Sequence, residues 1–168
     1  MQTTKQRSSR KRHYLVPSEI TRMVQVTNTG TPEGYRDSIL MVMVYFHALT
    51  AAEVTSLLWN QVDFEQERIY FRQPDDTLRS QPLSSMEVTA LKKLQQESPS
   101  PLYIFCTDKG KPLTISYVRK LIEQAGKLAQ IEFSATFDML HNSTAAYFES
   151  RGYSGEVIHT YLGIEKKD

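Results

Sequence analysis

Asp138 and His141 stand three positions apart in Phe137-Asp138-Met139-Leu140-His141-Asn142-Ser143. On a helix that spacing places a carboxylate and an imidazole on one face. With His159 approaching from the next helix, the three could hold a metal ion. No His-Glu-x-x-His spacing accompanies them, so a polar pair in a groove is the favoured reading, with no metal and no cofactor. The second chemistry open to this chain is phosphate binding. Lys5, Arg7, Arg10, Lys11 and Arg12 cluster near the N-terminus, Lys109, Lys111, Arg119 and Lys120 form a second group, and Arg72 and Arg79 flank a predicted hairpin. Each could reach a nucleic-acid backbone, or could be ordinary surface charge. Cys106, the only cysteine, lies in Leu102-Tyr103-Ile104-Phe105-Cys106 and reads as a small buried hydrophobe. No intrachain disulfide can form, which fits a reducing cytoplasm.

The 168 residues, 40% of them apolar and 23% charged, suit one globular domain with a real core. No apolar run is long enough to span a bilayer, so no membrane partner is expected. The net charge of +1 is unevenly spread. Residues 1–13 carry five basic side chains and no acid, leaving 15 basic against 19 acidic residues in the remainder. A basic flexible tail over 1–13 and a mildly acidic domain over 14–168 are therefore expected.

The elements that must position these residues follow from pattern. Ser18 caps a helix beginning at Pro17, and Asn28 to Pro32 breaks it. Tyr35 to Leu49 is apolar and long enough for a buried helix, in which His47 should bond to backbone. Thr50 and Glu53 make a capping box for a helix running through Trp59. Val62-Asp63-Phe64, Arg68 to Phe71 and Ser80 to Leu83 read as a small antiparallel sheet, with Pro82 on an edge strand. Helices follow at Ser85–Glu97, Thr114–Gln130, Thr136–Ser150 and Gly155–Leu162, with an apolar strand or extended segment at Leu102–Cys106. Helices, a small sheet, then helices make an α+β domain.

The order and spacing of several stretches resemble the catalytic domain of tyrosine recombinases (phage integrases), especially the short fimbrial phase-variation recombinases. Lys11-Arg12-His13-Tyr14-Leu15 is similar to the start of that domain. Phe46-His47-Ala48-Leu49-Thr50-Ala51-Ala52-Glu53-Val54 resembles the box that carries their first catalytic arginine. Pro82-Leu83 with Glu87-Val88, Lys109-Gly110-Lys111-Pro112-Leu113, Met139-Leu140 with Ser143, and Tyr161-Leu162-Gly163 resemble later boxes. The resemblance covers roughly residues 11 to 164. It implies a mainly helical tyrosine-recombinase fold with a small three-stranded antiparallel sheet. It also implies duplex DNA as partner, and strand cleavage and rejoining through a 3′-phosphotyrosine as the family activity.

At the positions that carry this chemistry the chain departs from the pattern. Thr50 stands where the family has an arginine. Pro74-Asp75-Asp76 replaces a hairpin tip bearing a lysine. Asp138-Met139-Leu140-His141 aligns with the family's His-x-x-Arg, and Ile164 with a later His or Trp. The tyrosine nucleophile lies several residues further on, and the sequence ends at Asp168. Tyr147, Tyr153 and Tyr161 all precede that position. Two guanidinium forks normally hold the extra negative charge of the pentacoordinate phosphorus. A threonine and a histidine cannot reproduce them. The resemblance thus implies a DNA-binding protein inactive in cleavage: a regulator or accessory subunit of DNA inversion or fimbrial expression. It could assemble with itself or with an active recombinase. A protein-interaction module without DNA binding, an active enzyme with a rearranged site and a relic without function remain as alternatives. If the alignment is right, Thr50, Asp138, His141 and Ile164 should converge on one groove.

Overall fold

The computed structural model describes residues 12–163. Among these residues, seven α-helices accompany a three-stranded antiparallel sheet, as the α+β expectation required. The basic residues Lys5, Arg7, Arg10 and Lys11, and Ile164, lie outside the described residues.

Helix α1 (Pro17–Thr27) has Pro17 at its first position, where a missing N–H costs nothing. Its N-cap is Val16, not Ser18. Glu19 reaches back to the Val16 amide at 2.9 Å and takes a bidentate bond from Arg12, also 2.9 Å. A carboxylate does here what the serine hydroxyl was expected to do. Helix α2 (Pro32–His47) starts three residues earlier than its apolar run, because Thr31 caps it and Pro32 presets the first turn. It is the central core element: Leu40, Met43 and Val44 are fully buried.

Helix α3 (Ala51–Thr55) carries the expected capping box of Thr50 and Glu53, at 3.1 and 3.0 Å. It stops after five residues instead of running through Trp59; Thr55 and Ser56 hydroxyls bond back to Ala51 and Ala52 carbonyls, and the chain turns into a short 3₁₀ segment at Trp59–Gln61. Trp59 is buried, as expected of a core residue. Strands β1 (Val62–Asp63), β2 (Arg68–Arg72) and β3 (Leu78–Pro82) pair in sequence order, with Ile69 opposite Gln81 and Phe71 opposite Arg79. Strand β3 begins at Leu78, two residues before its expected start. Pro82 ends it on the sheet edge.

Helix α4 (Ser85–Glu97) is capped by Ser84 and Glu87. Leu102–Cys106 forms no strand: single bridges join Tyr103 to Leu58 and Cys106 to Pro112. Ser98-Pro99-Ser100-Pro101 before it and Pro112 after it deny it a continuous ladder. Phe105 is fully buried and Cys106 nearly so. Helices α5 (Ile115–Leu128) and α6 (Phe137–Ser150) are capped by Thr114 and Thr136. Gly126 lets α5 approach the following chain, since a Cβ there would lie 2.6 Å from the Ala135 methyl. Helix α7 (Gly155–Leu162) packs Ile158 and Leu162 on Ala48, beside the main core. Its C-cap, Gly163, has φ +65°.

His47 corrects an expectation. Its ring bonds side chains, not backbone. Gln81 Nε2 donates to the Tyr161 carbonyl at 2.9 Å, which turns Gln81 Oε1 toward His47 Nδ1 at 2.5 Å. His47 Nε2 lies 2.6 Å from Glu87 Oε2. A buried chain of polar groups thus runs from α4 through α2 and β3 to α7.

Candidate functional site

The end of α2, the start of α3, the β2–β3 hairpin, α6 and the end of α7 enclose a groove of about 550 Å³. Thr50, Glu53, Arg72, Pro74, Arg79 and His141 contribute polar or hairpin surface to it, and Leu162 and Gly163 close one side.

Thr50 is there because it caps α3, which leaves its exposed side chain at a helix start facing the groove. His141 comes one turn into α6, whose first turn is fixed by the Thr136 hydroxyl on the Met139 amide. The His141 Nδ1–H donates to the Leu49 carbonyl at 2.9 Å. That carbonyl is free because α2 ends at Ala48, in the left-handed region with φ 51°. One ring nitrogen is therefore spent on tying α6 to the residue before Thr50. Among the described residues, Nε2 has no partner.

Asp138 does not join them. It lies in the first turn of α6, where a carboxylate is favoured by the helix dipole. Its side chain is 72% exposed and 3.8 Å from Arg119. Thr50 and His141 share the groove, then, and Asp138 stands outside it. No group of three His, Cys, Asp or Glu side chains among the described residues is placed to hold a metal.

The hairpin brings Arg72 and Arg79 to the groove. Arg72 is exposed and pairs with Asp76 at 2.7 Å. Asp75, at the tip, accepts from the Thr77 hydroxyl and amide, and those bonds hold its carboxyl below the usual range. Arg79 is half-buried. Its guanidinium stacks 4.7 Å from the Phe71 ring, and Nη1 reaches the Tyr161 carbonyl at 3.3 Å. Burial pushes the Arg79 pKa down, opposed by the charge of Glu53. Lys109, Lys111, Arg119 and Lys120 are exposed on the turn before α5 and on α5 itself, and none lines the groove. Arg12 is committed to Glu19 and stacks 4.9 Å from Phe133, so it belongs to the packing of α1.

Two polar clusters went unread in the sequence. One is the chain from Glu87 to Tyr161. The other joins Arg36 to Asp37 at 2.9 Å and to Tyr117 at 2.8 Å, with the Tyr117 hydroxyl donating to Asp37 at 2.6 Å. Arg36-Asp37 inside an apolar helix was the available signal; Tyr117 is about 80 residues away in the chain and carries none.

Comparisons with known proteins bear on the family and the fold. Residues 13–167 match the Phage integrase family. The type 1 fimbriae regulatory protein FimB of Escherichia coli K12 is 27% identical over 161 residues, covering 92% of this chain and 80% of that protein. The crystal structure of XerA recombinase superposes with a TM-score of 0.77 at 19% identity, over 91% of this chain and 56% of that one. XerH site-specific recombinase bound to its difH substrate gives 0.77 at 19% identity, over 92% and 48%. This chain thus spans about half the length of those two recombinases. It belongs to the phage integrase family and has the fold of a tyrosine-recombinase catalytic domain.

Proposed function

We propose that this chain binds duplex DNA without cutting it, as a regulator or accessory subunit of DNA inversion or fimbrial expression. One observation carries the reading. Thr50 and His141 line the same groove, at the two positions where the family resemblance puts the phosphate-holding arginines. The cleft is kept and its guanidinium pair is gone. Each preorganised contact to the transition state is worth about 3–4 kcal/mol, so losing two slows cleavage by several orders of magnitude. Pro74 and Asp75 at the hairpin tip supply no proton donor for the leaving oxygen.

Binding does not need those arginines. Phosphate contacts act locally, so an acidic body with basic patches can still hold a duplex. XerH is seen on its DNA substrate, and FimB is a fimbriae regulatory protein by name; both support the transfer of that role to this chain.

The test is a duplex titration at two salt concentrations, run beside a nicked duplex that traps covalent protein–DNA adducts. A salt-sensitive shift with no adduct is the expected outcome. An adduct would establish an active enzyme with a rearranged site. No shift at low salt would leave a protein-interaction module. The exposed Tyr153, Val157 and Tyr161 on the α6–α7 corner favour that second reading, because apolar surface of this kind serves protein partners.

A further inference from the structure

Arg79 is half-buried, yet its guanidinium is poorly partnered among the described residues. Nε is buried with no acceptor. Nη1 makes one long bond, 3.3 Å, to a carbonyl. No carboxylate among the described residues lies within ion-pair distance. Other arginines that sit against the fold are better partnered: Arg36 has Asp37, Tyr117 and the Cys106 carbonyl, Arg12 holds Glu19 bidentately, and Arg68, which also lacks a carboxylate, bonds Ser80 Oγ through both Nε and Nη2. A desolvated cation without compensation is costly, and an oxyanion compensates it best.

A purely structural role explains Arg79 less well. It would be to anchor the end of α7 through Tyr161. But Gln81, fully buried, already donates to the same carbonyl at 2.9 Å. The anchor holds without the guanidinium. The chain also makes room for Arg79: a Cβ at Gly163 would lie 2.6 Å from its Nε. Glu53, the one carboxylate lining the groove among the described residues, is turned to the Thr50 amide at 3.0 Å.

We propose that Arg79 is the anion contact of this groove: its guanidinium holds one phosphate of a DNA backbone laid across the opening. The contact comes from strand β3 and not from the helix positions where the family resemblance puts arginines. It rests on the duplex-binding reading, and it names the residue that lets a groove without its arginine pair still grip a phosphate. One fork replaces two, enough to hold a phosphate and too little to stabilise the added charge of a cleavage transition state.

The test compares Arg79→Gln with Arg79→Lys and with Arg22→Gln, an exposed charge-matched control on α1. Duplex affinity is measured across a salt series, with thermal melting of each variant. Arg79→Gln is expected to melt within a few degrees of the parent and to bind roughly tenfold more weakly, with the slope of log K against log salt reduced by about 0.9. Arg79→Lys should keep the slope and recover part of the affinity. Parent-like binding by Arg79→Gln, or an equal loss in Arg22→Gln, would overturn the assignment and leave duplex binding standing. If the parent itself fails to shift DNA, the duplex reading falls. The site is then decided by titrating inorganic phosphate against the Arg79 Nε–Hε NMR signal: a saturating shift upholds it, and an unmoved signal removes it.

Discussion

A threonine at a helix start is a good cap and a poor phosphate clamp, and Thr50 is both. Its hydroxyl and the Glu53 carboxylate close the first turn of α3. An arginine there would give up a cap worth about 1 kcal/mol. His141 is similarly occupied: its Nδ1–H holds Leu49, so the ring is positioned by the fold before it meets any ligand. Tyr117 shows what a buried partner does to a phenol. Burial first, then the bond and charge of Asp37, push its pKa up to about 12 against the opposing charge of Arg36. In the unfolded chain a tyrosine ionises near 10. Stability should therefore hold below pH 10 and fall between 10 and 12, because the unfolded state loses its proton first. Urea midpoints at pH 8 and 11 would measure that loss, and Tyr117→Phe should make it smaller. A loss of the same size in the variant would place the titration elsewhere.

Among elements, α7 depends on β3. Only eight residues long, it buries Ile158 and Leu162 and is pinned at Tyr161 from Gln81. Gln81 also receives the His47 Nδ1–H, and His47 meets Glu87 at the start of α4. Gln81→Leu would leave a buried donor on His47 unpaired and the Tyr161 carbonyl with only the long Arg79 bond. A cost of about 2–4 kcal/mol is expected. Hydrogen exchange should rise more at the amides of α7 than in α2. Uniform exchange across both helices would mean that α7 is held by its apolar contacts alone. The sequence located α7 well, from Gly155 to Leu162, and the structure caps it with Ser154 and Gly163. It did not disclose the pin, because nothing local links position 81 to position 161.

For the whole molecule, charge distribution decides what reaches the groove. The described body is acidic on balance, and the hairpin tip adds Asp75 and Asp76 beside it. Duplex DNA would then depend on local cations: Arg79 in the groove, the exposed group at Lys109, Lys111, Arg119 and Lys120, and the residues before Arg12. Arg12 is removed from that set by Glu19. Neutralising Lys5, Arg7, Arg10 and Lys11 together should weaken binding and lower the salt slope by up to about 3–4. Stability should not change. An unaltered slope would show that these residues touch no phosphate. Among the described residues no helix is long and apolar enough to cross a membrane.

The sequence by itself determined the elements and the family. Caps, turns and apolar periodicity are local, so Thr50, Thr114 and Thr136 announced their helices, and the ordered boxes over roughly residues 11 to 164 carried the resemblance. The resemblance also proposes which side chains stand at the family's catalytic positions. Helix lengths near polar back-bonding, as at Thr55 and Ser56, were misjudged because those hydroxyls compete with the helix only once its neighbours are in place. Tertiary structure alone decided which residues meet. It brought Thr50 and His141 to one groove, left Asp138 outside with Arg119, committed Arg12 to Glu19, and set Arg79 beneath Gly163 with its Nε unpaired among the described residues. Each of these depends on contacts between segments far apart in the chain, and the geometry of such contacts is settled by packing, not by spacing.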